Sequence, residues 1–182
     1  MRGAVWAAVA LLLAVQSSNS RAQSSQPIDR RVEAVLAKWQ CPIAGYIEKI
    51  HRSPAEKHRF LVLVTAERPE LYVQCMLYDK DARIRCEAAS GYYFEKIKGF
   101  ASERRLAALT RLGFSTDATH GNFSLDKPFT GADASAKLFL ETMARVFDLK
   151  VRDRLRYSAP MLSNQKENVV RRGRARAAIS ML

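Results

Sequence analysis

Leu71-Tyr72-Val73-Gln74-Cys75-Met76-Leu77-Tyr78, then Asp79-Lys80-Asp81-Ala82, then Arg83-Ile84-Arg85-Cys86-Glu87-Ala88 is the stretch that decides the fold. Its side chains alternate with period two, the pattern of a strand with one face against a core. Leu71, Val73, Cys75 and Leu77 share one face of the first strand, and Tyr72, Gln74, Met76 and Tyr78 the other. In the second, Ile84, Cys86 and Ala88 point inward and Arg83, Arg85 and Glu87 outward. The four-residue link makes the pair an antiparallel hairpin. Cys75 and Cys86 lie equally far from Lys80-Asp81, so they face each other if those two residues make the turn. Directly opposed Cβ atoms stand about 4.5–5.5 Å apart, close to but longer than a disulfide wants. The pair therefore reads either as a disulfide or as two small buried apolar side chains.

Upstream, Arg59 to Ala66 holds the run Phe60-Leu61-Val62-Leu63-Val64, which predicts a strand buried on both faces. Ile43 to Ile50 is expected as another strand before it. Earlier still, Ile28, Val32, Val35, Leu36 and Trp39 recur along one face of a helix opened by Pro27. Cys41-Pro42 is expected to stop that helix, because proline restricts the residue before it and has no amide to donate.

Downstream, Ser102 can cap a helix whose buried side is Leu106, Leu109 and Leu112, with Gly113 ending it. Asn122 to Phe129 is a shorter strand. Asp133 then opens a helix to about Leu149 with a wide apolar stripe of Ala136, Phe139, Leu140, Met143, Val146 and Phe147. Core burial is one use for that stripe, and Phe139, Leu140, Met143 and Phe147 are also the candidates for a homodimer face. The predicted order is α-ββββ-α-β-α: an α+β fold, with helices packed on an antiparallel sheet of about five strands.

The chain has 182 residues, with 30 Lys and Arg against 18 Asp and Glu, a formal net charge of +12. Residues 1–22 read as a signal peptide: Arg2, then an apolar run from Ala4 to Val15, then Ser20-Arg21-Ala22 for cleavage before Gln23. The expected location is therefore periplasmic or secreted. Residues 23–150 form the expected domain, with net charge +4. Residues 151–182 carry eight basic side chains against Asp153 and Glu167 and read as a basic, flexible tail. Its Arg171, Arg172, Arg174 and Arg176 are candidates for contact with an anionic surface. Nucleic acid is not expected as a partner, since Tyr157 is the one aromatic residue in this segment.

The sequence holds no GxxxxGK[ST], HExxH, GxSxG, CxxC or GxGxxG pattern. Its three histidines, His51, His58 and His120, are too scattered to suggest a metal site. No catalytic residue, metal or cofactor is assigned.

An ordered set of short motifs resembles the TY-Chap/YbjN-like domains. The set is Tyr72-Val73-Gln74, Cys86-Glu87-Ala88-Ala89-Ser90, Leu109-Thr110-Arg111-Leu112-Gly113-Phe114, Asn122-Phe123, and Ala134 through Val146-Phe147-Asp148-Leu149. The similarity covers roughly residues 70–150. Gly91 stands where those domains usually carry Asn, and Phe114 where they carry Trp. The resemblance implies the type III secretion chaperone fold and a protein-binding module that is often dimeric.

The expected function is thus an exported, non-enzymatic protein-binding or chaperone-like module with an unknown protein partner. Candidate contact residues are Tyr72, Gln74, Met76 and Tyr78 on the strand face and Tyr92, Tyr93 and Phe94 at the sheet's end. The alternative is a small periplasmic ligand-binding protein or enzyme with a pocket between the sheet and the last helix.

Overall fold

The structure is a computed structural model that describes residues 30–55, 58–80 and 82–159, with the backbone of 168–169. The signal-peptide segment 1–22 and the four tail arginines Arg171, Arg172, Arg174 and Arg176 lie outside the described residues. The elements are α1 (Arg30–His51), β1 (Phe60–Thr65), β2 (Tyr72–Tyr78), β3 (Arg83–Ala88), α2 (Glu103–Arg111), β4 (Phe123–Pro128), α3 (Ala132–Arg145), β5 (Leu155–Ser158) and the two-residue β6 (Asn168–Val169). The fold is α+β, with every strand pairing antiparallel in the order β4-β3-β2-β1-β5-β6.

Residues Ile43–Ile50 are helical and not a strand, because α1 continues through Pro42. Val32, Val35, Trp39, Ile43, Ala44, Ile47 and Ile50 make one unbroken buried stripe along it. A proline inside a helix costs about 3 kcal/mol. Burying each of the isoleucines at 43, 47 and 50 contributes about 1.5–3 kcal/mol, so the stripe outweighs the break.

The strands alternate more strictly than the sequence suggests. In β1, Leu61, Leu63 and Thr65 are buried, while Phe60, Val62 and Val64 are half-buried. A strand covered on both faces was the expectation. Instead α1 and α3 pack together over one face of the sheet, and the other face carries no helix among the described residues. Inside the helix layer, Phe139, Leu140, Met143 and Phe147 are fully buried within this one chain. They are core and not a dimer face, since a side chain already surrounded has no surface left to offer a second copy. The ligand-pocket alternative looked to the α3 side toward the sheet, where the described residues Ala136, Phe139, Leu140, Met143 and Phe147 are buried.

β5 falls inside the segment that composition reads as a tail. It pairs with β1 from Val62↔Ser158 to Thr65↔Leu155, so the sheet extends past Lys150. Leu155 and Tyr157 are buried on the core side. The Tyr157 hydroxyl donates to that of Tyr46 in α1 at 2.6 Å, with the rings 3.9 Å apart, which ties this strand to the first helix.

Cys75 and Cys86 face each other in the β2–β3 register and form a disulfide on the buried face, with Cα atoms 4.0 Å apart. The Ala89 amide bonds the Tyr72 carbonyl, so the neighbouring Gln74–Glu87 and Met76–Arg85 pairs are hydrogen-bonded and the cysteines are not. That is the narrower kind of pair, and it brings the two sulfurs within reach. Cys41 is the free cysteine, exposed on α1.

Candidate functional site

The uncovered sheet face is built from the outward half of each alternation. Strand register sets Phe60 beside Met76, Val62 beside Gln74 and Val64 beside Tyr72. It then sets Gln74 beside Glu87, Met76 beside Arg85 and Tyr78 beside Arg83. An apolar strip of Phe60, Val62, Val64 and Met76 thus runs next to a polar one. Met76 keeps 44% of its surface exposed.

At one end of this face the chain leaves β3 and makes a short aromatic loop. Gly91 takes φ +94, where a Cβ would stand 2.8 Å from the Ile97 carbonyl oxygen, so only glycine fits. Ser90 fixes the loop's start: its hydroxyl donates to the Gly121 carbonyl at 2.7 Å and accepts from the Tyr92 amide at 3.2 Å. Ile97, buried in a 3-10 turn Glu95–Ile97, fixes its end. Between these anchors Tyr92, Tyr93 and Phe94 stay exposed at 55, 61 and 44%. Phe94 meets the Tyr72 ring edge-on at 6.2 Å, joining the loop to the sheet face.

Polar groups hold this end in register. Asn122 donates through Nδ2 to the Tyr72 hydroxyl at 2.7 Å and to Glu87 Oε2 at 3.3 Å. Gln74 donates through Nε2 to the same Glu87 oxygen at 2.9 Å. Burial pushes the Tyr72 hydroxyl above the ordinary tyrosine range; the Asn122 bond opposes this and the Glu87 carboxylate adds to it. Tyr72 is therefore neutral across the physiological range. At the opposite end the Tyr78 hydroxyl donates to Asp126, and Arg83 clamps the same carboxylate at 2.6 Å. Those two hydrogen bonds, Tyr78 first, hold Asp126 below the usual carboxylate range.

The structure places Tyr72, Gln74, Met76 and Tyr78 on one sheet face and Phe94 against Tyr72, while Tyr92 and Tyr93 are exposed in the loop beside it; Tyr72, Gln74 and Tyr78 are engaged in polar bonds. Sequence reasoning gave no role to Asn122 or Glu87, and it placed Phe60, Val62 and Val64 in a doubly covered strand. The signal for Asn122 was its place directly before a strand that pairs with β3. The chemistry available on this face is adhesion: exposed aromatic and thioether surface with fixed hydrogen-bonding edges.

A separate polar cleft of about 420 Å³ lies at the ends of the helices, lined by Arg31, Thr65, Glu67, Arg68, Asp148, Lys150 and Asp153. Its charges serve the fold. Asp148 receives Arg105 at 2.7 Å, Arg104 at 3.2 Å and Arg31 at 3.3 Å. Arg105 and Arg68 also bond the Val146 and Phe147 carbonyls, which α3 leaves open at its C-terminus. Among the described residues no group of His, Cys, Asp and Glu is arranged to hold a metal ion.

The family described as "T3SS (YopN, CesT) and YbjN peptide-binding chaperone 3" matches residues 29–161, from the start of α1 to just beyond β5. No curated protein and no solved structure matches the chain.

Proposed function

The chain belongs to this family of peptide-binding chaperones, and on that premise we propose that it is a non-catalytic module that holds an extended, partly apolar client segment on its uncovered sheet face. One observation carries the reading. The exposed large apolar side chains among the described residues are Met76, Tyr92, Tyr93 and Phe94, and all four belong to this face or the loop at its end. Aromatic residues and methionine are the types enriched where proteins meet, and a contiguous patch of them marks a contact surface. An extended client would lie over the strip from Phe60 and Met76 to Tyr72 and Phe94.

The module is further proposed to work outside the cytoplasm, of the YbjN kind. The signal-like segment 1–22 supports this, and so does the Cys75–Cys86 disulfide, since such bonds persist in oxidising compartments. Fractionation of cells, with N-terminal sequencing of the recovered protein, should find a chain starting at Gln23 outside the cytoplasm. A full-length chain in the cytosol overturns that part.

The test of the client site uses an unfolded probe, reduced and carboxymethylated lactalbumin, with binding followed by fluorescence anisotropy. Phe94→Ala and Met76→Asp change exposed side chains and so leave the thermal midpoint nearly unchanged. Each should weaken probe binding at least fivefold, about 1 kcal/mol. Unchanged affinity in both variants overturns the assignment.

A further inference from the structure

Strand register fixes where each charge of the uncovered face stands against the apolar strip. Arg156 of β5 lies directly beside Val64, on one flank of the strip. Arg85 of β3 lies directly beside Met76, on the other flank. The carboxylates of the face are set one strand further back, Glu87 behind Gln74 and Asp126 behind Arg85. Both are already held. Glu87 accepts from Gln74 and Asn122, and Asp126 from Tyr78 and Arg83. Arg85 reaches Glu87 only at 3.7 Å and keeps 55% of its side chain exposed.

The surroundings do not cancel this excess. The strands present Arg83, Arg85 and Arg156 outward against Glu87 and Asp126. The aromatic loop adds Lys96 and Lys98 against Glu95, and at the rim Arg154 pairs with Glu67. Cations thus outnumber carboxylates around the strip, and the two that touch it are both arginines.

Their separation sets a spacing for the occupant. Arg156 and Arg85 are three strands apart across the sheet and four residues apart along it, about 14 Å each way, hence about 20 Å on the diagonal. An extended chain covers that distance in about six residues, and an even separation keeps both ends on the same side. Side chains two and four residues in from the first end then fall over Val64 with Val62, and over Met76 with Gln74. In this sequence Asp81 and Glu87 are the one pair of carboxylates six residues apart, and Arg83 and Arg85 stand between them. A segment with this pattern therefore comes from another protein and not from a second copy.

We propose that the client of this face is an acidic, extended segment of another protein, with carboxylates at i and i+6 meeting Arg156 and Arg85 and apolar side chains at i+2 and i+4 on the strip. This rests on the client-binding reading above and names the chemistry of what is bound.

The test uses end-capped, fluorescent peptides on the mature chain: Asp-Ser-Phe-Ser-Val-Ser-Asp and its counterpart with Lys at both ends. The acidic peptide should bind about tenfold more tightly, with the gap narrowing in about 0.5 M NaCl. Arg85→Glu should reverse the order and Arg85→Gln shrink the gap, each with a nearly unchanged thermal midpoint because the side chain is exposed. Equal affinity for the two peptides, or a preference that Arg85→Glu leaves in place, overturns the proposal. Reduced, carboxymethylated lactalbumin separates this from failure of the site itself. If lactalbumin binds while the peptides show no preference, the client site stands and the acidic client does not. If lactalbumin and both peptides fail to bind, the client reading falls and takes the proposal with it.

Discussion

Tyr157 and Tyr46 stack with ring centroids 3.9 Å apart and share a 2.6 Å hydrogen bond between their hydroxyls, joining the fifth strand to the first helix across 111 residues of chain. Burial, the Tyr46 bond and the Tyr46 charge all push the Tyr157 hydroxyl well above the ordinary tyrosine value. A raised acid keeps its full stabilising contribution below the value it has in the unfolded chain, near pH 10, and loses it progressively above. Wild-type stability should therefore decline as pH rises beyond 10, and Tyr157→Phe should flatten that decline. At neutral pH the same variant should lose about 1 kcal/mol, the worth of one hydrogen bond. Urea melts at pH 7 and 10.5 check both statements.

Asp148 is the common acceptor for Arg31, Arg104 and Arg105. Burial alone would raise its carboxyl, but the Arg105 hydrogen bond and the charges of Arg105, Arg31 and Arg104 together hold it below the usual range. A depressed carboxylate stabilises above its unfolded value, near pH 4, and loses that contribution as pH falls through its folded value. Asp148→Asn should cost about 2 kcal/mol at pH 7, with the gap to wild type closing below pH 4. Asparagine tolerates the left-handed backbone that Asp148 adopts at φ 58, so a loss reports the charge and not strain.

Gly91→Ala places a methyl group 2.8 Å from a backbone oxygen at a backbone angle that side chains avoid. The expected cost is about 2 kcal/mol. Because the loop after it must shift, affinity for an unfolded probe should fall as well, even though no contacting side chain is changed. A variant that melts and binds like wild type would show that the aromatic loop does not depend on this position.

Pro42→Ala supplies an amide in the middle of α1 and should stabilise the domain by roughly 1–3 kcal/mol. Thermal unfolding checks it. A lower midpoint would mean that the packing of Ile43 and Ile47 requires the proline.

Free-thiol titration of denatured, unreduced protein should find one thiol per chain, Cys41, because Cys75 and Cys86 are bonded. Reduction should lower stability by about 2–3 kcal/mol, the scale for so short a closed loop.

The hairpin and the amphipathic last helix were legible because each is a local pattern. The continuation of α1 was hidden by a local rule, although Ile43, Ile47 and Ile50 keep the helical spacing set by Trp39 and Val35. β5 was hidden for a different reason. Leu155 and Tyr157 alternate with Arg154 and Arg156, but four residues among so many arginines look like charged tail until β1 is there to pair with them. Coverage is the third case. Phe60-Leu61-Val62-Leu63-Val64 is apolar on both faces, and only the placement of the helices shows that one of those faces is left open.

The pairing of β1 with β5 also fixes an order of events. β1 finds its first neighbour seven residues on, at Tyr72, but its second only at Leu155, so a chain made or exported from its N-terminus has long completed the hairpin before the second arrives. During that interval β1 presents unpaired amides and carbonyls along one side, the condition in which partly made chains stick to one another. A member of a peptide-binding chaperone family thus passes through a stage in which its own β1 needs shielding.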